Sequence, residues 1–396
     1  MEDLSEIMAR ADAHLAEAAW GAAAVSYAHG AAIAGRAGDR TTAGLAWERA
    51  GECWRRDDRP SSAAQALELA VSHAGEASAG ASARVKLAAV LGELGQSEVS
   101  ARLCEAALGG DPDPTTRAIA LDTWVDSLIG LGRREEARVR LDELGRVAVG
   151  GLGIARLFRE AQLARLFGRL DDATAALGEA LTTLGDAPGA QIGVAAAEAE
   201  LAEVAALRGD LAEALELYDG AMRKFQALGR PSLGWRAEAG RVRAAIDVGL
   251  RPLTTLLDEG VAYAEGRGLL VLELDLRLAR AVGTRAGRDG AAPVADLVRA
   301  IEIASRGGLL HRRGRARIEL ARHRRDQAPT LTAQAEADLV GHEPWSARAR
   351  LARAHAVREF EPRVARDLAL AALVRFEAMD MARDAEDANA LAQELL

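Results

Sequence analysis

The sequence predicts an all-α chain built from stacked helix hairpins, and three observations lead there. Ala and Leu carry most of an apolar content of 49%, while aromatics make up only 4%. Both residues lose little conformational freedom in a helix. Runs of alternating β-branched and aromatic residues, which a half-buried sheet needs, are missing. At 396 residues the chain exceeds what one compact core usually supports. Units that bury one another in series solve that problem without a single large core.

The elements follow in chain order. Between Ile7 and Ala31, Ala23 fills a small slot and Tyr27 a bulky one. Ala18 to Gly35 carries no charge, but its Ala and Gly content, its Ser26, Tyr27 and His29 and its lack of Leu suit a buried helix better than a membrane span. Around Trp47 the chain reads Trp47-Glu48-Arg49-Ala50-Gly51-Glu52-Cys53-Trp54, breaks at Asp57-Asp58-Arg59-Pro60, and continues with Ala63, Leu67 and Ala70. The same order recurs. Gly95 precedes Ser100, Cys104, Ala107 and Leu108; Gly132 precedes Ala137, Leu141 and Leu144. Gly168 precedes Ala173, Leu177 and Ala180, and Gly209 precedes Ala214, Tyr218 and Ala221.

This succession of a large residue, a small pair, an aromatic, and then Ala, a bulky residue and Ala resembles the tetratricopeptide repeat. Turns lie about 36 to 41 residues apart, slightly longer than the 34 of the standard form. In that length they resemble the repeats of bacterial signalling regulators. The resemblance implies a right-handed superhelical α-solenoid. Small residues such as Ala63, Ala137, Ala173 and Ala214 let two helices approach, and Leu67, Leu141, Leu177 and Tyr218 fill the grooves between hairpins. The turn glycines let the chain leave the first helix in a left-handed conformation.

The clear repeats cover residues 44–230, and divergent helical pairs are expected over 231–378. They are predicted at Ser232–Val248 with Pro252–Glu265, Leu269–Thr284 with Pro293–Arg306, Leu309–Arg324 with Thr330–Leu339, and Trp345–Arg358 with Pro362–Ala378. Pro252, Pro293 and Pro362 are placed at helix starts, where a missing N–H costs nothing. A last helix over 380–396 is expected to cap the array. Gly287–Ala292 and Asp186–Ala190 read as inter-helix connections, so residues 1–396 are expected to form one continuous solenoid of about ten hairpins.

Composition narrows the function. The formal net charge is −9, which argues against a general nucleic-acid binder. A start of Met1-Glu2-Asp3-Leu4 lacks the basic, apolar pattern of a leader. Two isolated cysteines, Cys53 and Cys104, fit a reducing cytoplasm and core packing. Catalytic and cofactor motifs are missing. Lys86 and Lys224 lie outside any phosphate loop, and Gly150-Gly151-Leu152-Gly153 has no preceding strand. The seven histidines have no zinc-site spacing, and no Gly-x-Ser-x-Gly elbow occurs. No enzyme, metal or cofactor is expected.

What remains is an interaction surface. From Arg267 to Arg325 the chain holds 14 Arg against 6 acidic residues, densest at Arg312, Arg313, Arg315 and Arg317. Such a stretch reads either as a solvated face paired with neighbouring carboxylates or as a docking patch for an acidic segment of a partner. The family resemblance puts the first helix of each hairpin on the concave face, which makes Glu48, Arg55, Asp122, Asp126, Phe158, Gln162, Arg165 and Glu203 groove candidates. None is the Lys or Asn of the family's chaperone-tail clamp. A base-reading code is also missing, since the equivalent positions run Glu48, Val85, Asp122, Phe158 and Ala199. The expected function is a non-catalytic scaffold or regulatory subunit that binds a protein or peptide. A ligand- or peptide-sensing module is the alternative.

Overall fold

A computed structural model describes residues 3–74, 80–148, 150–185, 187, 189–250, 255–284 and 291–396. The described residues form helices and no strands. The first twelve are α1 (Leu4–Ala16), α2 (Trp20–Arg36), α3 (Arg40–Arg56), α4 (Pro60–Ala74), α5 (Ala81–Glu93), α6 (Ser97–Gly109), α7 (Pro114–Gly130), α8 (Arg134–Val147), α9 (Gly151–Leu166), α10 (Leu170–Leu184), α11 (Gln191–Arg208) and α12 (Leu211–Ala227). Then come α13 (Pro231–Asp247), α14 (Thr255–Arg267), α15 (Leu270–Gly283), α16 (Ala291–Gly307), α17 (Leu310–His323), α18 (Ala328–Asp338), α19 (Glu343–Val357), α20 (Pro362–Ala378) and α21 (Ala382–Glu394).

Local chemistry sets the helix ends. The Asp39 carboxylate accepts the Thr42 N–H, and Asp113 accepts those of Thr115 and Thr116, so each caps a helix start. Pro114, Pro231 and Pro362 open their helices. Gly95, Gly132, Gly168 and Gly209 all have positive φ, between 71° and 100°. The consensus glycines do not fade beyond Pro231 as the sequence pattern suggests: Gly249, Gly268, Gly308 and Gly341 also adopt positive φ. Three of them have moved to the turn that follows the second helix of a pair, which hides them from a search in the original register. Pro293 sits two residues inside α16, not at its start, and Ala291 and Ala292 are helical. The remainder of the connection expected at Gly287–Ala292, together with Asp186, Pro188 and the start expected at Pro252, lies outside the described residues.

Packing follows the repeat logic. Each helix lies against the next in sequence, and the odd-numbered helices from α3 to α21 also touch one another in succession. Ala63, Ala137, Ala173 and Ala214 are fully buried, and Leu67, Leu141, Leu177 and Tyr218 fill the grooves beside them. A Cβ on Gly51 would come 2.5 Å from Leu67 Cγ, and one on Gly314 would come 2.5 Å from Leu339 Cγ. In both hairpins the helices approach where one residue has no side chain.

The solenoid curls tightly enough for its second coil to rest on its first. Arg134 Nη1 donates to Glu343 at 3.0 Å, and the Tyr263 hydroxyl donates to Asp58 at 2.6 Å. Arg267 Nη1 donates to the Asp57 carbonyl at 3.1 Å. These partners are 205 to 210 residues apart in the chain. Asp58 stands in the left-handed turn between α3 and α4, with φ of 54°, and its other carboxylate oxygen accepts the Ser232 hydroxyl. An acidic residue at this turn tolerates the backbone geometry and also tethers the second coil. An apolar seam continues the contact: Ala161, Leu170 and Leu177 share one core with Leu351, Phe376, Met379 and Leu391. The last helix is part of this core.

At Gly307 the seam brings backbone against backbone, and an added Cβ would run into the Gly95 carbonyl oxygen. Backbone cannot swing aside as a flexible side chain can. Gly307→Ala should therefore cost about 1–3 kcal/mol in thermal or denaturant unfolding. Gly109→Ala, at a helical position with nothing within 4 Å, should change stability by less than about 0.5 kcal/mol.

Candidate functional site

The odd-numbered helices carry a ladder of charge pairs from repeat to repeat. Arg49 meets Asp12 at 3.2 Å, Lys86 meets Glu48 at 2.8 Å and Arg55 meets Glu93 at 2.9 Å. Arg159 bonds Asp122 at 2.9 Å and also Asp126, and Gln162 donates to Glu200 at 3.1 Å. Further along, Arg243 meets Glu203 at 2.6 Å, Arg312 meets Asp275 at 3.0 Å and Arg348 meets Asp384 at 2.7 Å. Partners are 33 to 40 residues apart, about one repeat length. Equivalent positions on successive first helices face each other, so opposite charges there pin the register of the stack.

Burial sharpens these interactions. Burial alone would raise the Glu203 carboxyl, but the guanidiniums of Arg243, Arg165 and Arg315 and the Tyr218 hydroxyl outweigh it and hold it at about 2. Asp275 is held below its usual range in the same way, by Arg312 against burial. Removing Arg243 leaves Glu203 with less compensation. Arg243→Met should cost about 1–3 kcal/mol of stability, most of it recovered in the double variant with Glu203→Gln, as chemical denaturation would show.

The ladder places most of the residues expected in the groove. Glu48, Arg55, Asp122, Asp126, Gln162 and Arg165 occupy rungs, bound to neighbouring repeats. Phe158 packs against the core shared by the two coils, so it serves packing. The Arg-rich stretch divides by helix face. Arg313 and Arg317 turn toward α18 and share Asp338, while Arg277 and Arg280 share Asp296. Arg312 and Arg315 lie on the other face of α17, which belongs to the concave series. The basic stretch and the groove therefore meet on one helix.

At that point the helices of the second coil line a partly open cavity of about 910 Å³. It is lined from α11 by Glu203, from α12 by Tyr218, from α13 by Arg243 and Asp247, from α17 by Arg315 and Arg322, from α19 by Trp345, Arg348 and His355, and from α21 by Asp384 and Asp387. Seven arginines and seven acidic residues line it in all. Of the twelve residues expected at a partner surface, only Glu203 and Arg315 reach it. Arg322 belongs to the Arg-rich stretch, while Arg243, Trp345 and Arg348 lie beyond the clear repeats, where the first-helix register has no consensus landmarks. Carried forward at 36- to 40-residue steps, it leads from Arg165 to Glu203, Arg243 and onward.

Beside the cavity, His311 and His342 meet edge to face at 5.1 Å between ring centres. A Cβ on Gly132 of the first coil would lie 2.9 Å from His311 Nε2, so the pair sits at the seam. Burial, then Arg312 and Arg315, push His311 down to about 4 against an opposing pull from Asp338. Burial, His311, Arg165, Arg315 and Arg348 also push His342 well below its ordinary value. Both are neutral when folded and ordinary when unfolded, so unfolding takes up protons as the medium acidifies. Stability should be full above about pH 6.5 and fall as pH drops toward 4. Thermal unfolding should show a shallower slope over that range in His311→Gln.

Among the described residues no group of three or more His, Cys, Asp or Glu is placed to hold a metal ion. Both cysteines are free and buried, and burial pushes the Cys104 thiol up to about 12. No described helix is long and apolar enough to cross a membrane.

No family profile and no curated protein matches this chain. Solved structures do. The chain superposes on a Rap protein complexed with competence and sporulation factor with a TM-score of 0.50 at 12% identity, covering 80% of this chain and 98% of that one. The fold is tetratricopeptide-like. RapI in its apo form (TM-score 0.42, 10% identity, 80% and 97% covered) and the tetratricopeptide domain of P58(IPK) (0.28, 14%, 99% of both) are more distant in shape. The helical-repeat solenoid expected from the sequence is the observed one, and its tetratricopeptide-like hairpins present their first helices to the channel.

Proposed function

We propose that this chain is a non-catalytic interaction subunit, one continuous solenoid that takes a short segment of a partner protein or peptide in the cavity of its second coil. The cavity itself carries the reading. About 300–1,000 Å³ is the range of pre-formed ligand sites, and this one combines Trp345 and Tyr218 with a balanced set of cations and anions. A peptide backbone with mixed side chains matches such a lining better than nucleic acid does, because phosphate recognition needs a net positive surface. The Rap protein of like fold was crystallised with competence and sporulation factor, which supports the partner-binding reading. The inward crowding of side chains between repeats leaves little other concave surface free, since the rungs elsewhere are occupied by their own partners.

Selection from a random-sequence peptide display library would test this with the full chain. Binders should emerge with 1:1 stoichiometry by calorimetry. Ala356→Trp, which adds bulk at the cavity wall, should weaken them at least about tenfold, or ~1.4 kcal/mol, with an unchanged unfolding midpoint. A library that yields no binder, or binders indifferent to Ala356→Trp, would refute the proposal.

A further inference from the structure

One rung of the ladder has no carboxylate. Between α17 and α19, Arg315 faces Trp345, its guanidinium carbon 4.2 Å from the ring centre, and Arg348 lies over the same indole at 4.8 Å. Arg348 has its own partner in Asp384, and the carboxylates nearest Arg315 are already bonded, Glu203 to Arg243 and Asp275 to Arg312. The Nε of Arg315 is shielded from water and has no hydrogen-bond partner among the described residues. Burial, Arg243 and Arg312 all disfavour its positive charge, against Glu203 and Asp275. The guanidinium lies at the wall of the cavity without a salt-bridge partner among the described residues, Glu203 and Asp275 acting on it only from a distance. Proteins rarely keep a buried cation that way unless something anionic completes it.

We propose that Arg315 anchors an anion site within the channel, taking one carboxylate or phosphate group whose carrier lies against Trp345. The planar fork offers two parallel N–H donors to either oxyanion, and the indole, already bearing two guanidiniums, holds the fork in place. This rests on the reading of the cavity as a binding site and specifies what that site selects. It also locates the acidic group that the Arg-rich stretch suggests: the other densest arginines of the stretch, Arg312, Arg313 and Arg317, are engaged within the protein, and Arg315 is the one left for a ligand.

Thermal unfolding of the full chain in sodium chloride, acetate and phosphate at matched ionic strength tests the site without any peptide. General salt effects raise or lower all variants alike. A specific site raises the wild-type midpoint with rising anion concentration, and Arg315→Met abolishes that rise. The exposed Arg138→Met keeps it. A rise in acetate alone assigns a carboxylate, in phosphate alone a phosphate, and in both the shared chemistry; each supports the proposal. An identical anion response in wild type and Arg315→Met overturns it. Should Arg315→Met not fold, Arg315→Lys retains the charge without the fork and should lose at least half of the response; a full response there overturns it too. Peptide selection failing while the anion response persists would sink the channel reading alone, and the reverse would sink this one.

Discussion

Everything in this molecule depends on how closely backbone can approach backbone where the second coil rests on the first. At Gly95 and Gly307 two helix-end segments about one superhelical turn apart come together with no side chain between them. Leu309 packs beside both Gly95 and Gly130, and Leu131 beside Gly308. A wider separation would leave the apolar seam from Ala161 to Leu391 open to water. Small residues therefore do two jobs in this fold: within hairpins they set the spacing of neighbouring helices, and at the seam they set the pitch of the whole coil.

Charge serves the same end by different means. A chain with this much Arg on its concave side would repel itself if the arginines faced one another. Instead most rungs alternate in sign across one repeat length, so each guanidinium is answered by a carboxylate of the next hairpin. In water such pairs contribute little. In the channel, where water is scarce and groups such as Arg159 and Glu203 are ringed by protein, pairing is needed to offset the cost of burial. That makes an unanswered position informative, and the contrast between Arg312, paired with Asp275, and Arg315, three residues along the same helix and set against Trp345 without a salt bridge among the described residues, is of that kind.

The repeats between residues 44 and 230 were legible because their small and bulky residues recur in a register that backbone geometry imposes. The later hairpins were legible only as helices, since their glycines stand at different turns and the consensus loses its landmarks. Individual binding candidates fared less well. For Glu48, Arg55 and Asp122 the sequence shows which face a residue occupies but not who stands opposite. Arg313 and Arg315 are two residues apart in one basic run, yet one is consumed by Asp338 and the other reaches the cavity.

The sequence by itself determined the all-α class, the hairpin repeat and the placement of small residues at helix crossings, because these follow from local periodicity and steric size. Only the tertiary structure decided that the coil closes on itself at about 210 residues, which arginines are neutralised and where the cavity lies. Those outcomes depend on small angles between successive hairpins summed over many repeats. No single repeat encodes that sum.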